Sequence, residues 1–116
     1  MMDAMIAAVP RFLDDVSRYG GLKGTDIANI TDVSKATVSR WKSGDAKPIP
    51  ANERILSDLH YLVARLHEYY TPDEVRTWLH APHPQLAGER AIDLLHQNRL
   101  VEVLQVIDRL DSGAFL

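Results

Sequence analysis

Residues 25–41 read TDIANITDVSKATVSRW. Apolar and small positions recur there at helical spacing twice, with a break between: Ile27 and Ala28 in the first stretch, Val33, Val38 and Trp41 in the second. The pattern predicts two short helices, near Thr25 to Ile30 and Lys35 to Lys42, that cross at a sharp turn, with Ala28 small enough for close approach. Ser34 stands where its hydroxyl caps the second helix. Asp32 falls in the turn, at a position that asks for a positive φ, which aspartate adopts at some cost. With the apolar seats turned inward, Ser34, Lys35, Ala36, Thr37, Ser39 and Arg40 project outward, and Lys42, Ser43 and Lys47 follow them.

Outward from this corner the periodicity stays helical, and no stretch alternates long enough to read as a strand, so the fold class is all-α. A first helix is expected from about Pro10 to Tyr19, because proline is tolerated in a first turn, with Gly20-Gly21 ending it. Pro48 to Pro50 forms a rigid connector. Ile55, Leu59, Leu62, Leu66 and Tyr69, widened by Leu56 and Val63, then mark the longest amphipathic helix and the spine of the chain. Thr71-Pro72-Asp73-Glu74 writes a complete helix start, with Thr71 as N-cap and Glu74 returning the hydrogen bond. That helix turns Val75, Trp78 and Leu79 inward and stops before Pro82 and Pro84. A polar bend, APHPQLAGER, leads to a short helix around Ala91 to Gln97, and Asn98 turns the chain. The last helix carries Leu100, Val103, Leu104, Ile107 and Leu110 on one stripe, with Gly113 as its cap. Three regions follow: 1–52, a connecting helix over 53–70, and 71–116.

The chain has 116 residues, 46% of them apolar, and no cysteine. That size fits one small domain, or two sharing a core, and excludes a large enzyme fold. Disulfides and thiolate metal sites are excluded too, and a reducing compartment is favoured. Asp3 sits where a signal peptide needs basic charge, and no apolar run approaches the roughly 20 residues of a membrane span. We therefore expect a cytoplasmic protein without a membrane partner. The net charge of −3 hides an asymmetry, +1 over residues 1–50 and −4 over 51–116. Between Ser34 and Pro50, Lys35, Arg40, Lys42 and Lys47 face Asp45 alone, a local +3.

Most catalytic constellations are missing from the sequence. No serine, histidine and aspartate arrangement stands out, and no glycine-rich phosphate loop follows a strand. His80 and His83 are separated by Pro82, His60 and His67 lie two turns apart, and neither pair has clustered carboxylates, so no metal and no cofactor is expected. Gly21-Leu22-Lys23-Gly24 spells an RNA-clamping GxxG but lacks its strands. Val101 and Val106 lie off the stripe of the last helix. Exposed apolar area of that kind marks an interface.

The corner at 25–41, followed by WKSG at 41–44, resembles a helix-turn-helix of the Xre type over roughly residues 10–60. The resemblance implies that the face from Ser34 to Arg40 enters the major groove while Lys42, Ser43 and Lys47 reach phosphates. The turn holds Asp32 where that family usually has glycine. Over roughly residues 70–116 the chain resembles the toxin-binding domain of the Xre/MbcA/ParS antitoxins. The matching residues are Trp78, His83-Pro84, Leu86, Gly88, Asp93-Leu94-Leu95, Asn98-Arg99, Val103, Ile107, Leu110 and Gly113-Ala114-Phe115. Ala91 stands where the family usually has proline, and Asn98 near its usual glycine. The resemblance implies an antitoxin, not an enzyme, whose partners are a RES-domain toxin that consumes NAD and the operator DNA of its own operon. Binding as a homodimer or a toxin–antitoxin hetero-oligomer is expected, since one recognition helix offers few phosphate contacts. The toxin surface is expected at Pro84, Gln85, Gly88, Arg90, Val101 and Val106, with the tail Gly113, Ala114, Phe115 and Leu116 reaching into the toxin's cleft. Two rival readings are a stand-alone Xre-type regulator with a C-terminal dimerisation domain, and a protein-interaction module that no longer touches DNA.

Overall fold

The computed structural model describes residues 2–112, with side chains for residues 8–110 and 112. Among them are seven α-helices: α1 Met2–Gly20, α2 Gly24–Thr31, α3 Lys35–Ser43, α4 Pro50–His67, α5 Pro72–His80, α6 Ala91–His96 and α7 Leu100–Asp111. A single 3-10 turn, Pro84–Leu86, lies between α5 and α6. The described residues form no sheet; one isolated bridge joins Pro82 to Arg90. None of the described helices is long and apolar enough to cross a membrane.

The central element is α4, whose Leu59, Leu62 and Leu66 are fully buried and whose neighbours Ile55, Leu56 and Val63 complete the inward stripe. It packs against α1, α5, α6 and α7 and also touches α2. One cluster of buried side chains therefore runs from Val9 in α1 to Ile107 in α7 without a break at α4. Removing such side chains from water is the main favourable term in folding a chain this small.

Three sequence expectations need correction. The first helix begins near Met2, not Pro10, and holds Pro10 inside it. Pro10 removes one backbone hydrogen bond, but Val9, Leu13 and Val16 are buried along one stripe, so packing carries the helix through the proline. As a result α1, at 19 residues, slightly exceeds the 18 of α4. Finally, Tyr69 lies beyond the end of α4 and is 44% exposed, leaving Leu66 as the last buried residue of that stripe.

The terminal signals agree closely. Thr71 Oγ1 accepts from the Glu74 N–H at 3.3 Å while Glu74 Oε1 accepts from the Thr71 N–H at 2.9 Å. Those bonds hold the Glu74 carboxyl below the usual carboxylate range. Asp32 has φ 58° and Asn98 φ 59°, the left-handed turns expected of these short polar side chains. At Gly21, φ is +62°, and a Cβ there would lie 2.9 Å from the Pro72 carbonyl oxygen. Only glycine lets the end of α1 pass this close to the start of α5. The expected Gly113 cap falls outside the described residues; Ser112 follows the last turn of α7.

Ala87 also has a positive φ, 55°, after the 3-10 turn. Alanine has no side-chain polar atom to offset that conformation, which costs an L-residue roughly 1–2 kcal/mol. Part of the relief is lost to the greater unfolded-state freedom of glycine, so Ala87→Gly is expected to stabilise the chain by roughly 0.5–1 kcal/mol. A thermal melt checks this, and an unchanged or lower midpoint contradicts it.

Candidate functional site

The corner forms as its residues dictate. Ser34 Oγ accepts from the Thr37 N–H at 3.1 Å and starts α3, and Gly44, with φ +83°, ends it. Val38 and Trp41 are buried on the inner side, with Val33 half-buried beside them. Across the turn, the Val33 N–H donates to the Ala28 carbonyl at 3.0 Å, which ties α3 to α2. Lys35, Ala36, Ser39, Arg40, Lys42, Ser43 and Lys47 are exposed, as is Ser34, and only Thr37 is half-buried. Four of these groups already have local partners: the Ser34 and Thr37 hydroxyls meet at 2.9 Å, Arg40 Nη2 donates to Thr37 Oγ1 at 3.4 Å, and Ser43 Oγ donates to Asp45 Oδ2 at 3.0 Å. The structure thus leaves the sequence-predicted residues of α3 and of the loop after it open to solvent, apart from the half-buried Thr37.

The second candidate surface lies at the C-terminal half. The bend closes on itself through the His83 N–H donating to Glu89 O at 3.1 Å and the Gly88 N–H donating to His83 O at 2.8 Å. Leu86 is buried beneath it, and His83 Nε2 donates to the Trp78 carbonyl at 2.7 Å with its ring against the indole. Pro84, Gln85, Gly88 and Arg90 are accordingly exposed on a shaped loop. Arg90 meets Asp93 with two bonds, Nε to Oδ2 at 2.9 Å and Nη2 to Oδ1 at 3.1 Å. Val101 is exposed at 67%, but Val106 is 3% exposed and belongs to the core. Val106 is therefore not a surface residue: α7 is covered by α4 and α6 on more than one side, and a second apolar position is buried beside the main stripe. Gly113, Ala114, Phe115 and Leu116 lie outside the described residues.

A third group of residues escaped the sequence reading. Asp26, in the first turn of α2, is 8% exposed and accepts the Lys23 N–H at 2.8 Å through Oδ2. Its other oxygen accepts from Arg76 Nη2 of α5 at 3.0 Å, with His80 Nε2 at 3.7 Å. Burial pushes the Asp26 carboxyl up, but the Lys23 N–H, the Arg76 guanidinium and His80 outweigh it and hold the carboxyl below the usual range. His80 in turn donates Nδ1–H to the Arg76 carbonyl at 2.8 Å. At the far end of α2, His96 Nδ1 donates to the Ile30 carbonyl at 3.3 Å. These residues border a cleft of about 540 Å³ between α2, α5 and α6. The only sequence signal was the acid in the first turn of α2, because its partner stands 50 positions away. Among the described residues no group of three or more histidines and carboxylates is placed to hold a metal ion.

A carboxyl held low stabilises the fold above the ordinary carboxylate pKa, and that stability is lost as pH falls through the lowered value. Asp58, which burial pushes up against the pull of Arg54, acts in the opposite direction, so the Asp26 effect is read as a difference. Asp26→Asn keeps an acceptor for Lys23 but loses the charge. With Arg76 partly in water, the expected loss is roughly 1–2 kcal/mol at neutral pH, narrowing below about pH 4. Denaturant titrations across pH test this, and a deficit that stays constant down to pH 3 contradicts the ionic account.

The fold defines a class: an all-α chain in which a short two-helix corner and a C-terminal helical cap share one core built on α4. Residues 65–113 match the antitoxin Xre/MbcA/ParS C-terminal toxin-binding domain. Over 102 residues the chain is 33% identical to the probable mycobacterial cidal antitoxin Rv3188 of Mycobacterium tuberculosis, covering 88% of this chain and 87% of that protein. It also superposes with a TM-score of 0.77 on a chain of the crystal structure of the M. tuberculosis MbcT–MbcA toxin–antitoxin complex, at 25% identity, covering 100% of this chain and 98% of that one. The chain belongs to the Xre/MbcA/ParS family of antitoxins.

Proposed function

We propose that this antitoxin binds and inhibits a RES-domain, NAD-degrading toxin through its C-terminal half and represses its own operon through the outer face of α3, acting in the cytoplasm by binding rather than by catalysis. The observation that carries the reading is that two sets of exposed residues sit on different elements: Lys35, Arg40, Lys42 and Lys47 on α3 and the loop after it, and the bend after α5 with Val101 of α7. The structural likeness to a chain of a toxin–antitoxin complex supports the toxin half of the reading. The DNA half rests on α3 and the loop after it, where Lys35, Arg40, Lys42 and Lys47 are all exposed. The acidic C-terminal half would steer a basic partner, and it would repel DNA away from the bend.

Toxin inhibition and operator binding are separable by substitution. Val101→Asp is expected to weaken inhibition of NAD consumption by the co-expressed toxin while leaving the melting temperature and DNA binding unchanged. Arg40→Ala is expected to relax base preference by roughly 1–3 kcal/mol if it reads a guanine, whereas Lys42→Ala should weaken all sequences alike. Unaltered toxin inhibition by Val101→Asp removes α7 from the toxin surface. Unaltered binding of Arg40→Ala in gel-shift titrations removes that residue from the reading face.

A further inference from the structure

α2 has eight residues, too short to hold its place by intrinsic helicity. Ile27, Ala28 and Ile30 seat one side of it in the core, but between α2 and the helices α5 and α6 lies an open cleft of about 540 Å³. Ile30 and Ile92 pack α2 against α6 at the floor of the cleft, and polar ties bridge the open remainder. At the N-terminal end the tie is Asp26 to Arg76 at 3.0 Å, with His80 behind it at 3.7 Å. At the C-terminal end it is His96 to the Ile30 carbonyl at 3.3 Å. Each end of one helix is thus held by a different helix of the C-terminal half. Since α3 is joined to α2 through the left-handed turn at Asp32 and the Val33 to Ala28 bond, and packs on both α1 and α2, a shift of α2 relative to α1 changes its tilt.

We propose that Asp26 and Arg76, with His80 and His96, are positioning residues for DNA reading: they fix the α2–α3 corner to the C-terminal half, so that operator affinity depends on side chains that touch no DNA. The proposal rests on the DNA half of the function proposed above. A consequence is that the C-terminal half contributes to DNA recognition from within one subunit, in addition to anything it does through a toxin or a second copy. The side chains involved are not on the α3 face, and Arg76 is not among the residues assigned to toxin contact.

The test uses the full chain, Arg76→Met and Arg76→Lys, against the duplex that the unmodified chain selects from a random-sequence pool. Arg76→Met keeps the apolar stem and loses the ion pair. It is expected to bind the selected duplex about tenfold more weakly, a coupling effect of ordinary size, with an unchanged salt slope because no phosphate contact is lost. Arg76→Lys should recover most of the affinity. Amide hydrogen exchange should quicken more over residues 24–43 of Arg76→Met than in α4 and α7, where only the modest loss of global stability is felt. Unmodified affinity in Arg76→Met overturns the proposal, and so does exchange that quickens in α4 and α7 as much as over residues 24–43, which marks general destabilisation alone. If the unmodified chain selects no duplex, the DNA reading fails and takes the positioning role with it; the exchange pattern then still reports whether the clamp itself exists.

Discussion

Trp41→Ala is expected to lower stability by roughly 3–5 kcal/mol, the range for truncating a buried aromatic ring. Trp41 is 3% exposed and lies on the inner side of α3, which packs against both α1 and α2. No other large apolar side chain of α3 is available to fill the space, since Val38 is its only other buried residue. Against a total stability of roughly 5–15 kcal/mol for a domain of this kind, the loss is enough to populate the unfolded chain at physiological temperature. Trp78→Ala is expected to cost less, about 2 kcal/mol, because its ring is only partly buried and rests against His83 at a centroid distance of 4.3 Å. The sequence alone placed both rings equally inside; the structure separates them. Thermal melts of the two variants decide the matter. A Trp41→Ala chain with the unmodified midpoint but lost DNA binding would place that ring on the reading face.

The second large effect is on salt. If a dimer engages about four phosphates per half-site, counterion release gives a log–log slope of roughly −7, so a fourfold rise in salt weakens operator binding by roughly 10⁴. The cations available to each subunit are Lys35, Lys42 and Lys47, with Arg40 beside them. A monomer using the same face would show about half that slope. Fluorescence anisotropy over a salt series, with sedimentation to fix the stoichiometry, measures it. A slope near zero would mean that α3 meets no phosphate backbone, and would favour a chain that serves protein interaction alone.

Local chemistry was legible without the fold. The N-cap at Ser34, the capping box at Thr71, the left-handed turns at Asp32 and Asn98 and the helical period of α4 are written within a few residues of where they act. Such signals need no distant partner, because a side chain that caps a turn bonds to its own neighbourhood. The start of α1 was not legible in the same way, since Pro10 is a local stop signal that burial of Val9, Leu13 and Val16 overrides. The difference between Val101 and Val106 was equally out of reach: both are apolar and off-stripe, and only the placement of α7 against α4 and α6 buries one and leaves the other in water.

The sequence by itself therefore determined the order of helices α2 to α7, most of their caps and turns, and the exposed basic residues of α3, all consequences of spacing along the chain. Tertiary structure alone decided which off-stripe apolar residues are inside and how the two halves are joined. Asp26 meets Arg76 across 50 positions, and His96 meets Ile30 across 66. No periodicity encodes such pairs, because an ion pair or hydrogen bond depends on distance in space, and the folded core sets that distance.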